Sequence, residues 1–173
     1  MGEQINAMID CDFPFLRGLV PRLDEGIDQW CTLCEQADDP DGFGLYDEIE
    51  SIVGSGFVVC QTYMMTRVRH RPKAASLKVG PLHRSNLHMA EIINAGANYW
   101  KHNREWPDRT NPPPLAKPTA DVLRAVGVWG DDYTMTNLLH SLVDPAPLRI
   151  GFLLPHLSSW RDALDPGADA WWP

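Results

Sequence analysis

The chain has 173 residues and a mass of 19.5 kDa, the size of one domain, which excludes a second large domain and leads us to expect a single helical domain over 1–173. Hydrophobic residues at 44% and charged residues at 22% match ordinary globular averages and exclude a disordered chain. The formal charge of −8, taken alone, disfavours nucleic acid and suggests a basic partner.

No apolar run approaches the ~18 residues of a spanning helix, and the opening sequence MGEQINAMIDCDFPFLRG has neither the basic nor the apolar region of a secretory signal. A cytoplasmic protein with no membrane partner is therefore expected.

After a start containing Pro14, Gly18 and Pro21, read as irregular, the segment DEGIDQWCTLCEQA places Ile27, Trp30, Leu33 or Cys34, and Ala37 at helical spacing. Its Trp30-Cys31-Thr32-Leu33-Cys34 run imitates a redox motif, but no βαβ pattern surrounds it. Asp28, Glu35, Asp38 and Asp39 would also raise a thiol pKa where a redox cysteine needs it lowered, so Cys31 and Cys34 read as buried helical cysteines. The turn DPDGFG leads into LYDEIESIVGSGFVVCQTYMMTRVRH, where Ile49, Val53, Gly56, Cys60, Tyr63 and Arg67 share a helical face. Gly54, Ser55 and Gly56 weaken an isolated helix but let a neighbour pack closely.

Residues 71–84 read as a loop. Ser85 is expected to cap a long helix over SNLHMAEIINAGANYWKHNREW, with Met89, Ile93, Gly96 and Trp100 on one side and Glu91, Asn94 or Ala95, Asn98, His102 and Glu105 as a polar stripe. The segment PDRTNPPPLAKP is expected to be an extended crossover. Thr119 is then expected to cap a short helix ending near Gly127; YTMTNLLHSLV and LRIGFLLPHLSSWRDAL supply two more, the last interrupted at Pro155. Trp171 and Trp172 either fold back on the core or face a partner. The sum is an all-α bundle of five or six helices with a long proline-rich connection.

Charge is unevenly spread along this order. From Arg67 to Arg104 stand Arg67, Arg69, Arg71, Lys73, Lys78, Arg84, Lys101 and Arg104 against one acid, Glu91, so this window carries +7 and the remainder −15. Four of the six histidines, His70, His83, His88 and His102, also fall there, so its charge grows in mild acid. Arg67, Arg69, Arg71, Lys73 and Arg84 are the candidate RNA-binding residues, unless the strip only neutralises acidic neighbours inside the fold.

The run NYWKHNREW gathers Asn98, Lys101, His102 and Glu105 within two turns, with Arg104 on an adjacent face. Cleaving RNA without metal needs a group that moves the proton of the 2′-hydroxyl or of the leaving oxygen, and cations that hold the phosphate. His102 suits the first task, Lys101 and Arg104 the second, and Asn98 can donate to the phosphate or orient the imidazole. The competing reading is a charged last turn favoured by the helix dipole alone. His88 with Glu91 and His102 with Glu105 match metal-ligand pairs but sit about 21 Å apart on one helix and cannot share an ion. Gly54-Ser55-Gly56 lacks the Gly-Lys-Ser/Thr of a phosphate loop. No metal or other cofactor is expected.

Asn98-x-x-Lys101-His102, near the end of a long bundle helix, resembles the HEPN superfamily of small all-α proteins. The resemblance implies a metal-independent ribonuclease of a toxin–antitoxin or antiviral system, commonly a dimer with a composite site. The family pattern places an Arg four to six residues before the His, whereas Ala95, Gly96 and Ala97 stand there in this chain. Arg149 with His156, and Lys78 with His83, match that spacing but not its context. Arg67, Arg69 or a partner subunit are the possible sources of the missing guanidinium. The expected partners are thus RNA and a second copy of the chain. The alternative is a noncatalytic acidic interaction protein, an immunity protein, antitoxin or inhibitor, that binds a basic protein.

Overall fold

A computed structural model of the chain describes residues 10, 12–106, 108, 111–130, 132–143 and 147–166. Seven α-helices make up these residues: α1 (Asp12–Gln36), α2 (Leu45–Arg67), α3 (Lys73–Ser76), α4 (Met89–His102), α5 (Lys117–Val126), α6 (Thr134–Val143) and α7 (Leu154–Leu164). Among the described residues there is no strand, only an isolated antiparallel bridge between Leu82 and His88. The all-α reading holds. The helix count exceeds the five or six expected, because a single turn, α3, forms inside the segment read as a loop.

The largest correction lies at the start. Helix α1 begins at Asp12, twelve residues before the predicted periodicity, and buries Phe13, Leu16, Val20, Asp24 and Ile27 along one face. Pro14 falls in the first turn, where no N–H is needed, and the Asp10 carboxylate accepts the Phe13 N–H at 3.1 Å. Pro21 sits mid-helix on the exposed face, where water can serve the carbonyl it leaves unpaired.

Helix α2 is the axis of the bundle, packed by α1, α4, α6 and α7. Its buried residues run round most of its circumference, as a central helix requires. The glycines expected to admit a neighbour do so: a Cβ on Gly54 would lie 2.2 Å from the Trp100 indole, and one on Gly56 2.5 Å from Ile150. Gly96 on α4 answers from the other side, where a Cβ would come within 2.8 Å of Phe57.

Helix α4 starts at Met89 rather than at Ser85. Asn86 takes a left-handed φ of 61°, and His88 stays extended as the cap, its N–H donated to Glu91 Oε2 at 3.1 Å. Ser85 is engaged instead with His83 Nδ1 at 2.9 Å. A 3-10 turn, Asn103–Glu105, closes α4 onto a cluster of Tyr99, Trp106 and Trp129 with ring centroids 5.6 to 6.4 Å apart. Beyond it the connection is shorter than expected: Pro114–Ala116 forms a 3-10 turn and α5 begins at Lys117, because Pro118 suits a first turn and Thr119 is buried one step inside. Gly127 ends α5 at φ 90° as predicted. Pro155 does not interrupt α7 but opens it, after a 3-10 turn over Ile150–Leu153 whose N–H groups at Ile150 and Gly151 are taken by the buried Asp24 carboxylate. Trp171 and Trp172 lie outside the described residues.

Candidate nucleic-acid interface

The polar stripe of α4 faces α2, and what meets it there is a glutamine. Gln61 occupies a core position of α2 and is 4% exposed. Its amide nitrogen donates to Asn98 Oδ1 at 2.8 Å, to Asn94 Oδ1 at 2.9 Å and to the Asn94 carbonyl at 3.3 Å. Its carbonyl oxygen accepts from Lys101 Nζ at 2.7 Å. A buried amide must be saturated, and this one is.

The network fixes the polarity of the surface it makes. With both asparagine oxygens committed to Gln61, the NH2 groups of Asn94 and Asn98 make no hydrogen bond among the described residues and remain as donors beside the Lys101 ammonium. Burial, and then the charge of Lys73, push the Lys101 pKa below its ordinary value. Lys73 thus stands near enough for its charge to oppose that of Lys101, and among the described residues neither lysine forms an ion pair. An anion placed there relieves that repulsion.

His102 lies round the helix from Lys101, with Asn98 between them. The imidazole is 52% exposed and its Nδ1 faces the Glu105 carboxylate at 3.3 Å. It lines a groove of about 490 Å³ with Asn98, Glu105, Trp106, Pro113, Leu115, Ala116 and Thr119. Among the described residues no guanidinium lines this groove. Its apolar wall, Trp106 and the Pro113–Thr119 stretch, suits a flat ring such as a base, and its polar wall suits a backbone.

The predicted site residues therefore divide. Asn98, Lys101 and His102 come together, and the charge of Lys73 reaches Lys101. Arg104 does not: it lines a second cavity, with Asp41, Asp47, Glu50, Asp132 and Asn103, away from the imidazole. Arg67, expected on the RNA-facing surface, is spent inside the fold, its side chain 4% exposed and paired with Asp165 at 2.6 Å. Arg71 also pairs with Asp165 and donates to the Leu164 carbonyl at 2.9 Å. Arg69 and Arg84 are exposed. Neither Arg67 nor Arg71 is free to supply the guanidinium missing before His102.

Gln61 is the residue that the sequence reading missed. The signal was a lone amide between Phe57 and Met64 on a core face, where an apolar residue is the rule. The remaining candidates stay quiet. Cys31 and Cys34 are half-buried on α1 with thiol pKa values pushed up, chiefly by burial, which is the reverse of a reactive pair. His156, on α7, has its pKa pushed down by burial. No helix among the described residues is long and apolar enough to cross a membrane.

No family model, no curated protein and no solved structure matches this chain.

Proposed function

We propose that this chain binds RNA through the donor surface of Asn94, Asn98, Lys101 and Lys73, and that His102 moves a proton at a phosphodiester held there. One observation carries the reading. Gln61 ties down the side-chain oxygens of the two asparagines and accepts one N–H of the Lys101 ammonium, so amide donors and positive charge are left facing outward, with Glu105 engaged by His102. A phosphate is an all-acceptor anion and is the natural complement of such a surface.

In this reading the apolar side of the neighbouring groove stacks a base, and the phosphate on its 3′ side sits over Asn98. His102 Nε2 takes the proton of the 2′-hydroxyl, while Glu105, at Nδ1, orients the ring and stabilises the imidazolium that forms. The oxygen of the 2′-hydroxyl forms the new bond to phosphorus and the bond to the 5′-oxygen breaks; that oxygen takes a proton from water, so that a 2′,3′-cyclic phosphate and a 5′-hydroxyl result. Lys101, with Asn98, meets the charge that develops on the phosphate. Arg104 has no part in it. The HEPN-like setting of a toxin–antitoxin or antiviral system, and the dimer it implies, belong to this proposal.

The test is cleavage and binding of a single-stranded RNA with a chelator present. Wild type cuts and binds; His102→Ala still binds and keeps its thermal midpoint, since the imidazole is half exposed, but no longer cuts. A His102→Ala protein that cuts at the wild-type rate overturns the catalytic part. Absence of RNA binding even at low salt overturns the whole and favours the acidic interaction protein, whose signature is a tight complex with a basic protein.

A further inference from the structure

The second cavity, about 670 Å³, lies between the start of α2, the end of α4 and the turn before α6. Among the described residues four carboxylates line it, Asp41, Asp47, Glu50 and Asp132, against one guanidinium, Arg104. Glu50 is committed: its two oxygens accept the N–H groups of Met135 and Thr136 at 2.7 and 2.8 Å and so cap α6. Asp41 accepts the Tyr133 hydroxyl. Asp47 and Asp132 are exposed, and among the described residues neither they nor Arg104 form an ion pair.

Three carboxylates nevertheless act together at one point. The Tyr133 phenol is pushed up to about 12, first by its hydrogen bond to Asp41, then by burial and by the charges of Asp41, Asp47 and Asp132. Arg104 is the one cation on the described lining, so the acids outnumber it and the cavity favours added positive charge.

A second feature points to a ligand rather than to a merely acidic surface. Asn103 is 6% exposed and lines this cavity, and its side-chain amide makes no hydrogen bond among the described residues. Among the described residues Arg67 Nε is the buried side-chain polar atom without a partner, so the unpaired Asn103 amide is one that opens onto the cavity. The aromatic side of the cavity is supplied by Trp100, seated on Gly54, and by Tyr133, held edge-on against Tyr46 at 5.6 Å between centroids.

The carboxylates are dispersed. Among the described residues no three histidine, cysteine or carboxylate side chains come close enough to hold one metal ion. Spread charge with aromatic faces between suits an extended ligand with several charges, not a point cation.

We propose that this cavity binds a linear organic oligocation, a methylene chain bearing two or three ammonium groups. Its charges meet Asp47 and Asp132, an ammonium N–H donates to the Asn103 carbonyl oxygen, and its methylenes lie on Trp100 and Tyr133. The shared chemistry has two sources, a free polyamine or the lysine side chains of a peptide. The site is independent of the RNA reading, since it shares none of Asn98, Lys101 and His102.

The experiment is a titration of the full chain followed by amide NMR, with spermidine in one arm and trilysine amide in the other. Magnesium at matched ionic strength is the control. Both oligocations are expected to move the Asn103 side-chain amide signals saturably, and magnesium to leave them in place. The stronger arm names the source. The double variant Asp47→Asn, Asp132→Asn, at two exposed positions, should weaken binding about fivefold, whereas Glu35→Gln, an exposed acid on α1, leaves it unchanged. Still signals in both arms, an equal response to magnesium, or an unaltered affinity in the double variant overturns the proposal.

Discussion

Four consecutive residues, two at the end of α4 and two in the 3-10 turn that follows, serve two separate surfaces. Lys101 and His102 look toward amide donors, a second lysine and a single carboxylate; Asn103 and Arg104 look into a cavity walled by four carboxylates. The sequence crowds these cations into one cluster, and the helix pulls them apart. What distinguishes the surfaces is one buried side chain on each: Gln61 makes the first a field of donors, and Glu50, by capping α6, brings the acids of the second round Tyr133. Charge along the chain is thus a poor guide to charge in space, because a turn of 100° per residue sends neighbours to different solvents.

The heaviest blow to the comparison strikes what separates the surfaces. Trp100 sits on Gly54 with no room for a methyl group, so Gly54→Ala forces α4 away from α2. Denaturant unfolding should show a loss of about 2–3 kcal/mol, with both surfaces impaired; a variant as stable as wild type would show that the helices are not held at that distance. Next comes Gln61→Leu, which strips only the donor side. Two asparagine oxygens lose their partner, costing about 1–3 kcal/mol, and RNA affinity should fall while the spermidine response of Asn103 stays. Equal damage on both sides would contradict their independence.

A smaller effect comes from pH. Lys101 has a pKa lowered below 10.5 by burial and by Lys73. A base whose folded pKa is lowered holds its proton more weakly than in the unfolded chain, so its charged form opposes folding and the opposition fades as pH rises through the lowered pKa. RNA affinity runs the other way, falling over that same window below 10.5 as the ammonium is lost. Lys73→Met removes the repulsion and should shift the fall to higher pH in a binding titration; an unmoved curve would mean that Lys73 does not act on Lys101.

Much of the helical framework was legible. The buried face of α2, from Ile49 through Val53, Gly56, Cys60 and Tyr63 to Arg67, is the one its spacing predicts, and so is the side of α4 that carries Met89, Ile93, Gly96 and Trp100. Proline misled the reading at four places, and at one of them, Pro21, it stands inside α1 on the exposed face. Pro14, Pro118 and Pro155 all stand in first turns, where a missing N–H costs nothing, and they mark helix starts rather than irregular chain. Ser85 looked like a cap, but Glu91 caps His88 from inside the helix. In the site, Asn98, Lys101 and His102 share one local stretch and could be found together. Arg67 could not be read correctly, because its partner Asp165 lies 98 residues away, and Gln61 reaches across 37 residues to Asn98. Long-range pairing of this kind leaves no periodic trace.

The most direct measurement is the affinity of a single-stranded RNA for Lys101→Ala and Arg104→Ala, side by side with wild type, at about 50 and 200 mM salt. Wild-type binding should weaken about tenfold across that range as two or three phosphate contacts are screened. Lys101→Ala should lose about tenfold at the lower salt and show a shallower salt slope, while Arg104→Ala stays within about twofold of wild type. Equal losses in the two variants, or a greater loss with Arg104→Ala, would contradict the division of α4 into a donor surface that meets phosphate and an acidic one that does not.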